Sequence, residues 1–591
     1  MDKVTRLFDF PHYQLDKFNL KTALATKYNG QWEIVSSQQY VDRANQLSRG
    51  LIRLGVQPND KIAIISHNNN ADWHIADIGI LQTGAQNVPI YPTISAEDYS
   101  YILNHSGAKY CIVSDKEILD KLNSIKSEVP GLKDIYAFRD LEGVKSLAEL
   151  LSLGEDPSNQ PEVEARKDAV KADDLATLIY TSGTTGKPKA VMLSHDNIVS
   201  NVLGSEERVP LSTGDKALSF LPICHIFERM VVYLYQYCGI SIYFAESIEA
   251  MSENLKEVKP HVMTVVPRLI EKVFDKIHTT GSGLSGIKKK LFFWSIALGE
   301  KFEPYGANGG WYEFQLKIAR KLIFSKWQEG LGGNLKILVS GSAALQPRLA
   351  RIFGAAGIPV MEGYGLTETS PVIAVNDQNN RGWKIGTVGR MLPNVEVKIA
   401  EDGEILCKGP NIMLGYYKDE EKTKEAMVDG YFHTGDIGQI DQDGFLKITD
   451  RKKEIFKTSG GKYIAPQMLE NQMKQSRFIE QIMVVGEGEK MPCAFIQPNF
   501  EFVQKWAKRQ KIEFKDNNDL VKNPKVIARI EKEVATYNQQ FGRWEQVKKF
   551  ELTPEEWSVE AGHLTPTLKL KRRIIKEKYM DLYKAMYQPE K

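Results

Sequence analysis

At 591 residues the chain is longer than one hydrophobic core usually organises, so its length predicts two or more domains. Hydrophobic residues at 42% and charged residues at 26% are ordinary for a soluble globular protein able to bury large cores, so no disorder needs to be invoked. The 77 basic and 75 acidic residues leave a formal +2, so no global field selects nucleic acid, and any basic partner site must be local.

The N-terminal MDKVTRLFDFPHYQ carries Asp2 and Asp9 and lacks an unbroken apolar core, so it does not read as a secretory signal. No stretch has the roughly 18 to 20 apolar residues of a membrane span. Five cysteines, at 111, 224, 238, 407 and 493, show neither a CxxC pair nor metal-ligand spacing, which fits a reduced compartment. The expectation is a cytoplasmic protein, soluble or peripheral at the inner face of a membrane.

The first half alternates short apolar runs with amphipathic segments. KIAIISHN, ADWHIADIGILQTGAQNVPI and AKYCIVSD read as strand, helix and strand, the α/β rhythm of a mainly parallel sheet. From about Gly386 the texture becomes turn-punctuated β, with hairpin signals at Asp402-Gly403 and Asp443-Gly444. A charged α/β segment follows Lys453. The predicted fold is α/β: a large N-terminal core of mixed and parallel sheets with a β-rich subdomain, residues 1–449, then a small α+β domain, residues 450–591. A hinge is placed at Asp450 to Lys453, where the β-rich stretch ends in charged residues.

Six stretches carry the chemistry, taken in chain order. In LATLIYTSGTTGKPKAVMLSH an apolar strand delivers the hydroxyls of Thr181, Ser182, Thr184 and Thr185 around Gly183 and Gly186, with Lys187 and Lys189 behind them. Glycines let backbone amides approach an anion, and hydroxyls and lysines supply donors and charge, so a polyphosphate suits the loop. It is not a Walker A loop, because only two residues separate its glycines and Pro188 follows the lysine. A plain Ser/Thr/Gly turn is the alternative. FLPICHIFERM offers His225, for which a packed core histidine is the competing reading.

LVSGSAAL places the small residues Ser340, Gly341, Ser342 and Ala343 after a strand, leaving room for a planar base and an acyl tail, or simply for close backbone packing. GYGLTETSP follows another buried strand with an aromatic, a hydroxyl and a carboxylate; an N-capped helix start through Thr367 and Thr369 is the bland reading. DGYFHTGDIGQIDQDGFLKITDRKKEIFKTSGGKYIAP, residues 429–466, has Asp436 in a TGD turn that by itself suggests only an Asx turn. LTPTLKLKRRIIKEKY belongs to a C-terminal basic run of Lys569, Lys571, Arg572, Arg573, Lys576 and Lys578, which alone reads as a solvated helix face.

In this order the motifs resemble those of the adenylate-forming superfamily, which contains acyl-CoA synthetases, peptide-synthetase adenylation domains and firefly luciferase. YTSGTTGKPK looks like its signature, residues 429–466 resemble the fatty acyl-CoA synthetase signature throughout, and the TPTLKLKRR ending is one that long-chain members share. The resemblance spans residues 180–572. It implies a nucleotide site made by the loop from Thr181 to Lys189, by Gly341, Ser342 and Ala343, and by Gly363, Tyr364 and Gly365, with Tyr364 stacked on adenine. Thr367 and Glu368 take catalytic roles, Glu368 holding Mg²⁺, and His225 shapes the carbonyl site. Asp436 binds ribose, with Arg451 assisting. Lys453 is the pivot of a mobile C-terminal domain, Gly460 and Gly461 line the pantetheine path, and Lys569, three residues before Arg572, is the catalytic cation.

The implied reaction is activation of a long-chain fatty acid by ATP to an acyl adenylate and pyrophosphate, then transfer to coenzyme A with release of AMP. A carboxylate does not react with a thiol at neutral pH because oxide would have to leave; a mixed anhydride with AMP removes that obstacle. Departures from the family pattern are Ala190 for glycine, Tyr431 for tryptophan and Leu568 for glycine. A peptide-synthetase module is disfavoured because no carrier domain follows residue 591, and a non-catalytic nucleotide-binding scaffold because Lys569, Glu368 and Asp436 are all present. Neither the oligomeric state, a homodimer being one option, nor the acyl length follows from the sequence. In residues 287–302 and 311–327 lysines stand beside Phe292, Phe293, Trp294, Trp311 and Trp327, either as a membrane-facing surface or as a buried helical pair with basic ends.

Overall fold

The computed structural model describes residues 3–181, 187–247, 249–559, 561–565 and 568–588. The chain forms two compact units: one of Met1–Val397, Cys407–Phe432 and Asp441–Leu446, the other of Lys398–Leu406, His433–Ile440 and Lys447–Lys591.

The first unit holds two large sheets, of nine and eight strands. In the nine-stranded sheet the central strands Leu24–Tyr28, Ser241–Phe244, Lys216–Ser219, Val262–Val265, Ile337–Ser340 and Val360–Gly365 run parallel. In the eight-stranded sheet Lys61–Ile65, Gln86–Ile90 and Ala108–Val113 are parallel neighbours, and Leu175–Thr181 turns back antiparallel into Lys189–Ser194. The α/β rhythm read from the sequence is therefore present, with one more strand than expected: NVPI ends the strand Gln86–Ile90, which follows the helix Ala71–Gln82.

That helix is buried at every position, and the helix Ile226–Tyr237 at all but its last. Helices apolar on all sides belong inside a core. Each nevertheless carries ionisable residues, among them Asp72 and Asp77 on the first and Glu228 and Arg229 on the second, and Asp77 and Arg229 satisfy one another. Arg229 Nη2 lies 2.6 Å from Asp77 Oδ1, and Arg229 Nη1 donates to Thr177 Oγ1 at 2.8 Å. The Tyr233 hydroxyl donates to the same aspartate. Removing one partner of so buried a pair would strand the other, at a cost on the order of 3 to 5 kcal/mol. The network ties the helix that follows His225 to the strand that delivers the Thr181 loop.

The second unit has a three-stranded sheet of Ile479–Val485, Cys493–Pro498 and Lys549–Leu552, the first pair antiparallel and the second parallel. Helices Pro466–Met473 and Pro524–Asn538 pack on it around Leu469, Ile482, Ile496 and Ile530. A short hairpin, Phe456–Lys457 with Tyr463–Ile464, precedes them. Among the described residues no helix is long and apolar enough to cross a membrane.

Candidate active site

In the first unit the expected residues gather at strand ends. The hairpin of Leu175–Thr181 and Lys189–Ser194 pairs Thr181 with Lys189, so the Ser/Thr/Gly loop is the connection between them. Ser182, Gly183, Thr184, Thr185 and Gly186 themselves lie outside the described residues. At the exits of the loop, Lys189 Nζ stands 4.9 Å above the ring of Tyr416, and Lys187 Nζ stands 5.0 Å above that of Tyr101.

Tyr416 is the residue that sequence reasoning missed. It belongs to a two-residue strand, Gly415–Tyr416, that pairs with Val191 and Met192 at the edge of the eight-stranded sheet. Its hydroxyl donates to Glu368 Oε1 at 2.8 Å, and Met413 N donates to the Glu368 carbonyl at 2.9 Å. One tyrosine thus meets Lys189, at the start of the strand after the Ser/Thr/Gly loop, with its ring and Glu368, the expected metal ligand, with its hydroxyl. Burial, then the neighbouring Glu368 charge, holds the phenol above its ordinary acidity range, so it stays a donor at neutral pH. GYYKDE gives no distinctive signal in sequence, since a Tyr pair before an acidic run is common in ordinary turns.

Glu368 lies in a single 3₁₀ turn, Thr367–Thr369, after the strand Val360–Gly365. No helix starts there: the Thr369 hydroxyl accepts from Leu366 N at 2.9 Å and closes the turn on itself. Gly365 is required by backbone approach, because a Cβ there would fall 1.7 Å from the Pro371 carbonyl oxygen. Gly363 has ordinary room, and Tyr364 is half-buried. Thr367 is buried beneath the turn. Just before Gly363, the buried Glu362 carboxyl is pushed up to about 8 by desolvation, against one opposing hydrogen bond from Leu345 N, so it is mainly neutral at pH 7.

Gly341, Ser342 and Ala343 follow the strand Ile337–Ser340, with Ser342 at φ 69° and both Ser342 and Ala343 exposed. A Cβ on Gly341 would come within 3.1 Å of the Phe227 ring. Phe227 stands two residues after His225, whose Nδ1 accepts from Phe227 N at 3.2 Å and caps the helix. His225 is half-buried at this cap, so the packed-core alternative does not describe it. Phe227 thus faces Gly341 with its ring and bonds His225 through its backbone N–H.

The remaining expected residues lie in the second unit. Asp436, on the strand Tyr431–Ile440, and Arg451, ending the strand Leu446–Arg451, are brought together with Nε 3.4 Å from Oδ1. Lys453 is exposed in the turn after Arg451, which is closed by Glu454 N donating to the Arg451 carbonyl at 2.9 Å. Its neighbour Lys452 is paired with Asp402 and Glu404. Gly460 and Gly461 form the hairpin loop, Gly461 at φ 79°.

Lys569 is exposed on a tight turn in which Thr565 N donates to the Lys569 carbonyl at 2.8 Å and Lys569 N donates to Thr565 Oγ1 at 3.1 Å. Leu568 holds φ 60°, the left-handed conformation that glycine favours. Arg572 is no member of a solvated face: its guanidinium clasps Glu470 at 2.6 Å and Glu454 at 2.9 Å. That clasp anchors the segment carrying Lys569 to the residues immediately after the expected hinge.

Among the described residues no group of three His, Cys, Asp or Glu side chains could hold a metal by itself. A lone Glu368, joined through Tyr416 to Lys189, fits Mg²⁺, which commonly takes one or two carboxylates and completes its shell with phosphate oxygens and water.

The chain matches the AMP-binding enzyme family over residues 12–417 and the AMP-binding enzyme C-terminal domain over residues 453–591. It is 35% identical over 575 residues to the long-chain-fatty-acid–CoA ligase FadD15 of Mycobacterium bovis, covering 95% of this chain and 94% of that protein. It is 33% identical to the rat long-chain-fatty-acid–CoA ligase 5, over 95% of this chain and 85% of the relative. Its fold is that of the adenylation domain of a Mycobacterium chelonae carboxylate reductase, with TM-score 0.75, 20% identity and coverage of 99% and 92%. The o-succinylbenzoate CoA synthetase of Bacillus subtilis, solved with ATP and magnesium, superposes with TM-score 0.67 at 18% identity, over 96% of this chain and 99% of the other. The chain belongs to the AMP-binding enzyme family.

Proposed function

We propose that this protein is a long-chain fatty acyl-CoA ligase that forms an enzyme-bound acyl adenylate from ATP and then passes the acyl group to coenzyme A. The observation that carries the chemistry is the contact of Glu368 with the Tyr416 hydroxyl and of Lys189 with the Tyr416 ring, which joins a carboxylate and an ammonium through one side chain. Long acyl chains are favoured by the near full-length likeness to ligases named for such acids.

In the first step the fatty carboxylate oxygen attacks the α-phosphorus, the bond to the β-phosphate oxygen breaks, and pyrophosphate leaves. Negative charge grows on the oxygens, so the residues needed are donors and cations. Lys187, Lys189 and the loop hydroxyls bind the phosphates, Tyr416 orients Glu368, and Lys569 faces the α-phosphate and carboxylate oxygens. Glu368, together with phosphate oxygens, would hold Mg²⁺, which would supply positive charge against the departing pyrophosphate. In the second step the thiolate of coenzyme A attacks the acyl carbonyl and AMP leaves, with His225 bordering that carbonyl.

The cations that favour pyrophosphate departure would obstruct a pantetheine path, so one arrangement serves both steps poorly. The proposed solution is a domain division at 449/450, with residues 450–453 as hinge and Lys453 as pivot, withdrawing Lys569 and bringing Gly460 and Gly461 to the pantetheine. Peripheral contact with a membrane is part of the proposal, since long-chain acids reside in bilayers. Product analysis tests the reaction: AMP and pyrophosphate are expected, and ADP with phosphate would refute it. Palmitate should give a higher kcat/KM than acetate or aromatic acids; the reverse order would remove the long-chain assignment and leave the family standing.

A further inference from the structure

The helical segment after the strand Val262–Val265 resolves the two readings of residues 287–327 in an unexpected way. Phe292 and Trp327 are buried, as a helical pair requires, while Trp311 is 73% exposed. Helix Gly310–Ala319 buries Tyr312, Leu316 and Ala319, continues through a π-helical turn at Arg320–Phe324, and ends in Ser325–Gly330. Arg320 is pinned to the Ala355 carbonyl at 2.8 Å; the π turn ends on the buried Phe324, and the buried Trp327 follows in the next turn. A π turn shifts the helical register, which is how one helix keeps two buried stripes in phase.

What that packing leaves outside is a second apolar face. Trp311, Phe314 and Ile318 recur at i, i+3 and i+7, hence on one side of the helix, and Leu322 continues the line. Phe314 is 54% and Leu322 49% exposed, and the Trp311 and Phe314 rings stack with centroids 5.6 Å apart. Single exposed apolar residues need no explanation, but a continuous row led by stacked aromatics does.

Charge identifies the occupant. Lys317 and Lys321 lie on the helix beside this row, and Lys288, Lys289 and Lys290 begin the neighbouring helix Gly286–Gly299, with Ile287 75% exposed among them. Among the described residues neither Lys317 nor Lys321 makes a salt bridge, and the helix Gly286–Gly299 contains no acidic residue. Apolar residues flanked by lysines match a surface that is apolar below and anionic above, because lysine stems can lie along the lipid while their heads reach phosphate. A second copy of this chain would bring lysines against lysines.

We propose that the face formed by Trp311, Phe314, Ile318 and Leu322, bordered by Lys317 and Lys321, docks on an anionic phospholipid bilayer. The proposal deepens the long-chain ligase reading and takes its sense from it: an enzyme whose substrate partitions into membranes gains by sitting on one.

The test uses the full chain with phosphatidylcholine vesicles, with and without phosphatidylglycerol, and follows co-sedimentation. The parent should bind the anionic vesicles, with binding reduced by salt as screening removes the lysine contribution. The W311S/F314S variant should bind at least about tenfold more weakly, and K317E/K321E should lose the preference for anionic lipid. Activity of both variants on water-soluble octanoate reports folding and the ligase reading separately, and should match the parent. The proposal is overturned if the parent stays in the supernatant or if W311S/F314S sediments like the parent. It is equally overturned if sedimentation velocity without lipid shows a parent dimer that W311S/F314S converts to monomer.

Discussion

The Tyr416 hydroxyl donates to Glu368 Oε1 at 2.8 Å, while the Tyr416 ring lies under Lys189 Nζ at 4.9 Å. The two contacts use different parts of one side chain, so they can be separated. Tyr416→Phe keeps the ring and deletes only the donor that orients Glu368. Groups that orient a metal ligand commonly contribute about 10- to 100-fold to metal affinity or activity. The half-saturating Mg²⁺ concentration for pyrophosphate release should therefore rise about tenfold with thermal stability nearly unchanged. Glu368→Gln should depress Mg²⁺-dependent turnover more severely, and unchanged Mg²⁺ dependence in both variants would place the ligand elsewhere.

Gly341 and Phe227 make the second prediction. An added Cβ 3.1 Å from the ring forces the aromatic to give way, and the same residue carries the backbone N–H that donates to His225 Nδ1. Overpacking of this kind costs about 1 to 3 kcal/mol. Gly341→Ala should lower kcat/KM by about tenfold, and Phe227→Leu should absorb much of that loss in the double variant. Strictly additive losses would show that the two residues are not coupled.

The third concerns pH. Glu228 is buried in the core, where Ser219 Oγ donates to it at 2.5 Å and the Thr264 hydroxyl donates to its other oxygen. Burial outweighs both donors and pushes the carboxyl from 4.5 up to about 7. The folded state thus holds this proton more tightly than the unfolded chain. Stability should fall as pH rises through the window from about 4.5 to about 7 and level off above it, a change of about 3 kcal/mol. Glu228→Gln, whose amide can still bond to both hydroxyls, should remove that decline. Parallel melting-temperature profiles for parent and variant between pH 5 and 8 would contradict the assignment.

How far the sequence could be read depends on how local each feature is. The strands Leu175–Thr181, Ile337–Ser340 and Val360–Gly365 were legible because buried parallel strands are short continuous apolar runs that end in small residues. Gly365 was legible as a motif, although its reason, the Pro371 carbonyl, needs the fold. Tyr416 was not, because its role comes from pairing with Val191 and Met192 more than two hundred residues earlier in the chain. Arg572 looked like one more charge in a basic run until its partners Glu454 and Glu470, both over one hundred residues away, were in place. Trp327 and Trp311 are equivalent by composition and opposite in burial, a difference set by which helix face the surrounding fold covers.

The central claim is that one lysine serves one half-reaction only. Lys569 sits on a turn held by Thr565, and that segment is anchored through Arg572 to Glu454, just beyond Lys453. A rotation about residues 450–453 would carry them together. Lys569→Ala removes the cation without altering the turn's backbone bonds, and Lys453→Pro fixes φ at the pivot. The decisive measurement is both partial rates in both variants: pyrophosphate release from ATP and fatty acid, and thioester formation from supplied acyl adenylate and coenzyme A. The account predicts that Lys569→Ala loses adenylation by orders of magnitude and keeps thioester formation, while Lys453→Pro loses thioester formation more than adenylation. Equal loss of the two steps in each variant would contradict it.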